Sequence, residues 1–206
     1  MFDRLLAAGA ALLLGACTVV GVRSGTEEPA FEVLGSQAGL EFRRYGPRRA
    51  AETVVAGEEA AARNEGFSRL ARYIFGGNVG SSRIAMTAPV AQEGQRIAMT
   101  APVAQAASGE GHVIRFFLPA ALRDPPAPLD PRVRIAEVPA ETVAVLRFSG
   151  VPDPDRVAEA RARLMAALGG TPWAAAGEPV GWFYDPPWTI PALRRNEVAV
   201  AVAPRG

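Results

Sequence analysis

The chain has 206 residues, with 22 basic against 21 acidic side chains and a formal net charge of +1. This balance gives no electrostatic case for nucleic acid, which asks for a clustered basic surface. A single cysteine excludes an intrachain disulfide. Every basic residue is arginine, so each cation is a planar, permanently charged guanidinium.

In chain order, Arg4 precedes an apolar run over 5–14 that is too short to span a bilayer. It ends in Leu14-Gly15-Ala16-Cys17. A small-residue site after a short apolar run marks a cleaved signal peptide, and the cysteine gives it the form of a bacterial lipobox. The expected organisation is a leader over 1–16, a tether over 17–29 that starts at a lipidated Cys17, and one folded domain over 30–206. Lipid chains bury at ~0.8 kcal/mol per CH₂, so an acylated Cys17 would hold the protein on a membrane without a spanning helix. The expected location is extracytoplasmic. Thr18, where an Asp would favour retention at the inner membrane, points to the outer membrane of a cell that has one.

Segments 31–34, 40–45 and 49–55 read as strands, with a turn at Gly46-Pro47. Segment 58–75 reads as a helix, with Phe67, Leu70, Ala71 and Ile74 on one apolar stripe and Gly76-Gly77 as its stop. Next comes Arg-Ile-Ala-Met-Thr-Ala-Pro-Val-Ala-Gln at 83–92, repeated without change at 96–105. The period of thirteen is too short for a solenoid unit. The expectation is two strands, or a strand and its flap, joined by Glu93-Gly94-Gln95. A strand over 112–118 and a proline-rich loop over 120–131 complete this half. The second half repeats the order, with strands over 133–138 and 142–148 and a helix opened by Asp153-Pro154. Val157, Ala160, Leu164 and Leu168 form that helix's apolar face, Gly169-Gly170 ends it, and strands over 181–184 and 197–202 follow. The order implies an α+β fold: two pseudo-symmetric ββαββ-like halves forming a distorted antiparallel barrel or sheet flanked by two helices.

Five groups of residues resemble the SOUL haem-binding family. They are Glu41-Phe42-Arg43-Arg44-Tyr45-Gly46-Pro47; Asn64-Glu65-Gly66-Phe67 through Tyr73-Ile74-Phe75-Gly76-Gly77-Asn78; the two Met-Thr-Ala-Pro-Val copies; Arg115-Phe116-Phe117-Leu118-Pro119; and Tyr184-Asp185-Pro186-Pro187-Trp188 with Arg194-Arg195-Asn196-Glu197-Val198. The resemblance implies an effector-binding-domain-like sheet with two helices and a hydrophobic cleft beside the first helix that takes haem or another tetrapyrrole. The resemblance also implies, for some members, haem ligation through a histidine just before the Tyr-Gly-Pro turn. The matching residue here is Arg44, and arginine is not an ordinary iron ligand. The expected mode is therefore an apolar slot without conventional histidine ligation. Its matching residues are Asn64, Phe67, Ala71 and Arg72, with Leu70 as a packing surface, Met86 and Met99 as soft side chains, and Tyr184 as a hydrogen-bond donor or phenolate. The lone His112 is expected at a strand edge on the surface.

No catalytic set is visible. One histidine and one cysteine do not make a Cys/His or Ser/His/Asp arrangement, and no cluster has zinc spacing. Gly76-Gly77 follows a helix rather than opening one, unlike a phosphate loop. Glu58-Glu59 is explained by the helix dipole. The expectation is a non-enzymatic, membrane-tethered tetrapyrrole carrier or buffer. The alternative is a sensor or interaction module that takes another apolar small molecule or a peptide in the same cleft.

Overall fold

A computed structural model describes residues 26–96 and 110–206 of the chain. Cys17 and Met99 lie outside the described residues, as does nearly all of the second copy of the duplicated block. The strands are β1 (Phe31–Gln37), β2 (Leu40–Tyr45), β3 (Arg48–Ala56), β4 (Val90–Arg96), β5 (Glu110–Phe117), β6 (Val133–Val138), β7 (Glu141–Phe148), β8 (Trp173–Ala175), β9 (Val180–Phe183) and β10 (Asn196–Pro204). The helices are α1 (Glu59–Ile74) and α2 (Pro154–Leu168).

All pairings are antiparallel, in the order β1-β2-β7-β10-β9-β4-β5-β3-β6, with β8 on β10. Leaving out β1 and β8, exchange of β2 with β6, β3 with β7, β4 with β9 and β5 with β10 reverses this order onto itself. The same exchange carries α1, which packs on β3 and β5, onto α2, which packs on β7 and β10. The two expected halves are therefore present, with their first strands exchanged: β2 pairs with β7, and β6 pairs with β3.

This exchange dictates the shape. Six strand spacings separate β2 from β3, about 29 Å across a flat sheet. Yet Tyr45 and Arg48 are joined by three peptide units, which reach at most about 11 Å. The link from Val138 to Glu141 imposes the same condition on β6 and β7. The sheet must curl until its ends meet, which gives a barrel-like body that remains unclosed by hydrogen bonds.

Curling separates three apolar clusters. Outside, Leu164, Ala160 and Leu168 of α2 meet Phe42, Leu146, Val198 and Val200. Leu70, Tyr73 and Ile74 of α1 meet Ala51, Ile114 and Phe116. Inside are Tyr45, Phe117, Val143, Val145, Trp182 and Ala199. Arg48 lies across the meeting ends, paired with Glu141 and set 4.2 Å from the Tyr45 ring centre and 4.8 Å from that of Phe117.

The helix ends follow their sequence signals. The Glu58 carboxylate accepts the Ala60 and Ala61 N–H groups at 3.0 Å, and those donors hold its carboxyl below the usual range. Gly76 takes φ +114° beyond the C-terminus of α1. Asp153 accepts from the Arg156 N–H ahead of Pro154. Glu59 and Arg161 join the two helices through two contacts of 3.1 Å.

Two local expectations change. The buried stripe of α1 is Ala62, Gly66, Arg69, Leu70, Tyr73 and Ile74, so Phe67 and Ala71 fall on its rim. Gly66 explains the rotation: with no side chain, it lets the helix approach Ile114, and a Cβ there would sit 2.4 Å from the Ile114 Cγ1. Glu93-Gly94-Gln95 is not a joint between two strands. These residues continue β4 and pair with Val113, His112 and Gly111 of β5.

Candidate ligand-binding site

The first copy of the duplicated block lies against α1. Ile84 donates its N–H to Ile74 O at 2.8 Å, at the last turn of the helix. The Thr87 hydroxyl donates to Phe117 O. Gln92 is fully buried, with Nε2 donating to Glu59 O at 2.8 Å. Met86 points to solvent two residues after Ile84.

Along the rim of α1, Phe67 is 40 % exposed, and its ring meets Phe116 edge-on at 5.2 Å between centroids. Ala71 follows one turn later, half-buried, and then Phe75, 62 % exposed. The spacing i, i+4, i+8 places the three on one face. Val79 and Met86 add further exposed apolar surface after the helix. Arg72 is exposed in the last turn, where it also complements the helix dipole. Asn64 is exposed near the middle of the helix. An apolar strip of this kind with a cation beside it suits a flat, hydrophobic, anionic ligand. Phe67, Ala71, Arg72 and Met86 are thus brought to one region.

The other expected residues go elsewhere. Leu70 is fully buried in the core beneath the helix and presents nothing to a ligand. Tyr184 is buried on the inner face. Its hydroxyl donates to Glu197 Oε2 at 2.7 Å, and burial pushes the phenol well above its ordinary range. It does not serve as a phenolate, because its proton is committed to a buried carboxylate. Arg44 is exposed on β2, rather than on β3 or β5 where α1 packs, and is paired with Glu32 at 3.0 Å. His112 is buried rather than at the surface, with Nε2 donating to Gly57 O at 3.1 Å. It precedes Phe116 by four residues on β5, about 13 Å along the strand, which removes it from a ring seated on Phe67.

Sequence reading missed Arg63. Its guanidinium covers the Phe183 ring at 4.6 Å and donates to Pro152 O at 2.8 Å and Gln92 Oε1 at 3.3 Å, fixing the N-terminal half of α1 to β4, β9 and the loop before α2. Its position beside Asn64 was the only signal. A buried charge cluster was missed as well. Glu197 is fully buried and receives Arg43 at 2.7 and 3.1 Å, Arg195 at 2.9 Å and the Tyr184 hydroxyl. Burial alone would raise its pKa, but these donors outweigh burial and hold the carboxyl below the usual range.

Two recesses lie towards the inner face. One, about 580 Å³ and open, is lined by Phe31, Glu32, Arg44, Tyr45 and Glu141 beside the two short strand links. The other, about 150 Å³, lies between Phe117, Val143, Val180 and Trp182, with Glu93, Arg115 and Glu178 on its walls. Among the described residues, no group of three or more His, Cys, Asp or Glu is placed to hold a metal ion.

Solved structures share the fold. The C-terminal domain of EcmrR superposes with a TM-score of 0.57 at 11 % identity, covering 81 % of this chain and 98 % of that one. An uncharacterised conserved protein from Listeria innocua gives 0.54 at 10 % identity, covering 82 % and 94 %. A structure described as a hydrolase from Listeria innocua gives 0.51 at 8 % identity, covering 82 % and 94 %. No curated protein matches the chain. The model of the SOUL heme-binding protein family matches residues 26–201, from the first described residue nearly to the end of β10, and the chain belongs to that family.

Proposed function

We propose that this protein binds a tetrapyrrole, haem included, on the outer face of α1, and carries or buffers it while tethered to a membrane through Cys17. Family membership makes it a small-molecule-binding protein rather than an enzyme. The observation that supports the finer reading is the exposed strip Phe67–Ala71–Phe75 with Met86 and Arg72 beside it. Exposed apolar patches on a soluble body mark contact sites. The residues fit the ring and one of its carboxylates: the phenylalanines offer faces and edges to a porphyrin, and Arg72 offers an anion partner. They do not offer a histidine ligand, so the protein contributes a slot and a charge. When bound, haem would bring its own iron chemistry, which the tether would keep at the membrane.

Titrating the chain from Thr18 to Gly206 with hemin and with iron-free protoporphyrin, followed by absorbance, tests this reading. Saturable binding of both, weakened by Arg72→Glu and abolished by Phe67→Asp, is the expected result. Binding of hemin alone would show ligation by a residue not assigned here and overturn the slot. No binding of either would transfer the argument to a sensor or interaction module. That second reading is favoured by the inner recess beneath Trp182, and a ligand seated there would change Trp182 fluorescence irrespective of Phe67.

A further inference from the structure

We propose that the loop over 186–193, with Val151 beside it, is a membrane-contact surface that seats the domain on the bilayer holding Cys17. The proposal rests on reading Cys17 as the lipid anchor. Trp188 is 63 % exposed, and Ile190, Leu193 and Val151 are exposed as well. Four large apolar side chains gathered on one loop region are unusual for a surface that faces only water.

The loop is built to hold them outward. Thr189 donates its N–H to Pro186 O at 3.1 Å, and Leu193 to Ile190 O at 2.9 Å. The Arg194 guanidinium folds back onto Thr189 O and Pro187 O. Gly150 donates to Pro191 O at 2.9 Å and accepts from the Asn196 side chain at 2.9 Å, which fixes Val151 beside the loop. With its backbone tied this way, the loop cannot turn these side chains inward without breaking its own hydrogen bonds.

The position of the tether says what covers the patch. The Glu28 carboxylate receives Arg195 Nη1 at 3.1 Å through both oxygens, two residues after Leu193, and Glu27 is bonded to Ala88 and Ala120. The chain from Cys17 therefore enters the domain beside the loop. From Cys17 to Thr26 there are nine peptide units, which reach at most about 32 Å. A lipid-held Cys17 therefore keeps Thr26, where the chain enters the domain, within that distance of the surface. A linker this short places the patch at an effective concentration in the millimolar range, so contacts too weak to bind a free membrane are filled. Tryptophan suits the headgroup level, where its ring is half apolar and half wet.

The test couples the chain from Cys17 to Gly206, through its single cysteine, to a maleimide-headgroup lipid in phosphatidylcholine–phosphatidylglycerol vesicles. Tryptophan emission is then read with plain and with brominated acyl chains. Trp182 is buried and Trp173 stacks on Phe42 in the α2 core, so lipid quenching reports Trp188. The expected result is loss of the Trp188 share of the emission in brominated vesicles, absent in Trp188→Phe and removed by the pair Ile190→Ser and Leu193→Ser. Equal emission in both vesicle types overturns the proposal. So does quenching that persists in the Ile190→Ser, Leu193→Ser chain, which would mark random collision. The anchor reading is decided separately, by whether the mature protein from its native host carries a diacylglyceryl mass on Cys17. Chemical coupling makes the quenching result independent of that answer.

Discussion

Gly66→Ala is the sharpest perturbation of the α1 site. In an open helix this change stabilises by about 0.5–1 kcal/mol, because glycine loses more backbone freedom on folding. Here the new Cβ would lie 2.4 Å from Ile114 Cγ1 and 2.8 Å from Ile114 Cβ, against an ordinary carbon–carbon contact of about 3.5–4.0 Å. Ile114 is fully buried on β5, which is hydrogen-bonded on both sides by β3 and β4, so it cannot retreat. The helix must lift by about 1 Å, the shortfall from ordinary contact. Overpacking of this kind costs about 1–3 kcal/mol, and subtracting the propensity gain leaves a net loss of about 1 kcal/mol at the middle of both ranges. For a domain of this size that lowers Tm by roughly 2–4 °C, read by circular dichroism and by urea unfolding with an unchanged slope. Ile114→Ala opens a cavity that itself costs about 2–5 kcal/mol, but it removes the Cγ1 contact while leaving the Cβ one, so the double variant should lose less than the sum of the two. The pair should therefore be non-additive in the favourable direction by about 1 kcal/mol. A Gly66→Ala protein as stable as the parent, or more so, would refute the close approach of α1 to the sheet.

Glu197→Leu leaves the guanidinium groups of Arg43 and Arg195 buried around an empty partner position and should cost about 3–5 kcal/mol in urea unfolding. The Glu197 carboxyl is depressed in the fold, so the stability it lends is complete above its unfolded pKa of about 4.3 and withdrawn as pH falls through its lower folded value. The stability gap between the parent and Glu197→Gln should therefore close on acidification below about pH 4; a constant gap from pH 7 to 3 would refute that assignment. Arg72→Glu should weaken tetrapyrrole binding by up to about tenfold, as expected for reversing one exposed charge, with Tm unchanged. Deleting 93–105 removes one thirteen-residue repeat but leaves the residues of β4 through Gln92. Ala106 and Ala107 would then take the strand positions of Glu93 and Gly94, with Ser108-Gly109-Glu110-Gly111 as a four-residue hairpin turn. The shortened chain should fold, losing the Glu93–Arg115 pair, worth about 0.2–1 kcal/mol, and the outermost β4–β5 pairings of Gln95 with Gly111 and Arg96 with Glu110. An unfolded product by circular dichroism would show that the second copy is required.

The elements themselves were legible because their signals are local. Glu58, Gly76, Asp153 and Pro154 bound the helices almost to the residue. The strand exchange was not legible. Tyr45-Gly46-Pro47-Arg48 reads as a turn between neighbours, yet β2 and β3 do not pair. A proline with φ near −65° cannot take the positive φ that a type I′ hairpin turn asks of both central residues. Pro139 stands in the equivalent β6–β7 link. Two prolines in two short links are, in hindsight, the trace of the exchange. The α1 stripe was misread by one position because periodicity weighs side chains, and Gly66, which has none, sets the line of closest approach. The cluster of Arg43, Tyr184 and Glu197 joins residues more than 140 positions apart, a relation no local pattern carries.

Under the proposed function, the distribution of charge favours the outer face over the inner one as the seat of a tetrapyrrole. On the inner face the cations are already committed: Arg43 and Arg195 to Glu197, Arg195 also to Glu28, Arg48 to Glu141, and Arg115 to Glu52 and Glu93. A ring carrying two carboxylates would have to compete with these paired carboxylates, and displacing buried Glu197 or Glu52 would leave a charge unpaired at a cost of several kcal/mol. The recess beneath Trp182 is about 150 Å³, below the 300–1,000 Å³ typical of organic ligand sites, and the wider recess of about 580 Å³ beside the strand links is open, with Arg44 on its wall already paired with Glu32. Enlarging the smaller one would mean parting the ends of the sheet where Arg48 joins Glu141, Tyr45 and Phe117. On the outer face nothing has to break: Phe67, Phe75 and Met86 are already in water, and Arg72 has no ion-pair partner among the described residues. Covering that strip gains apolar burial at about 25 cal/mol per Å² without opening the fold, so the α1 face is the seat that costs the protein least.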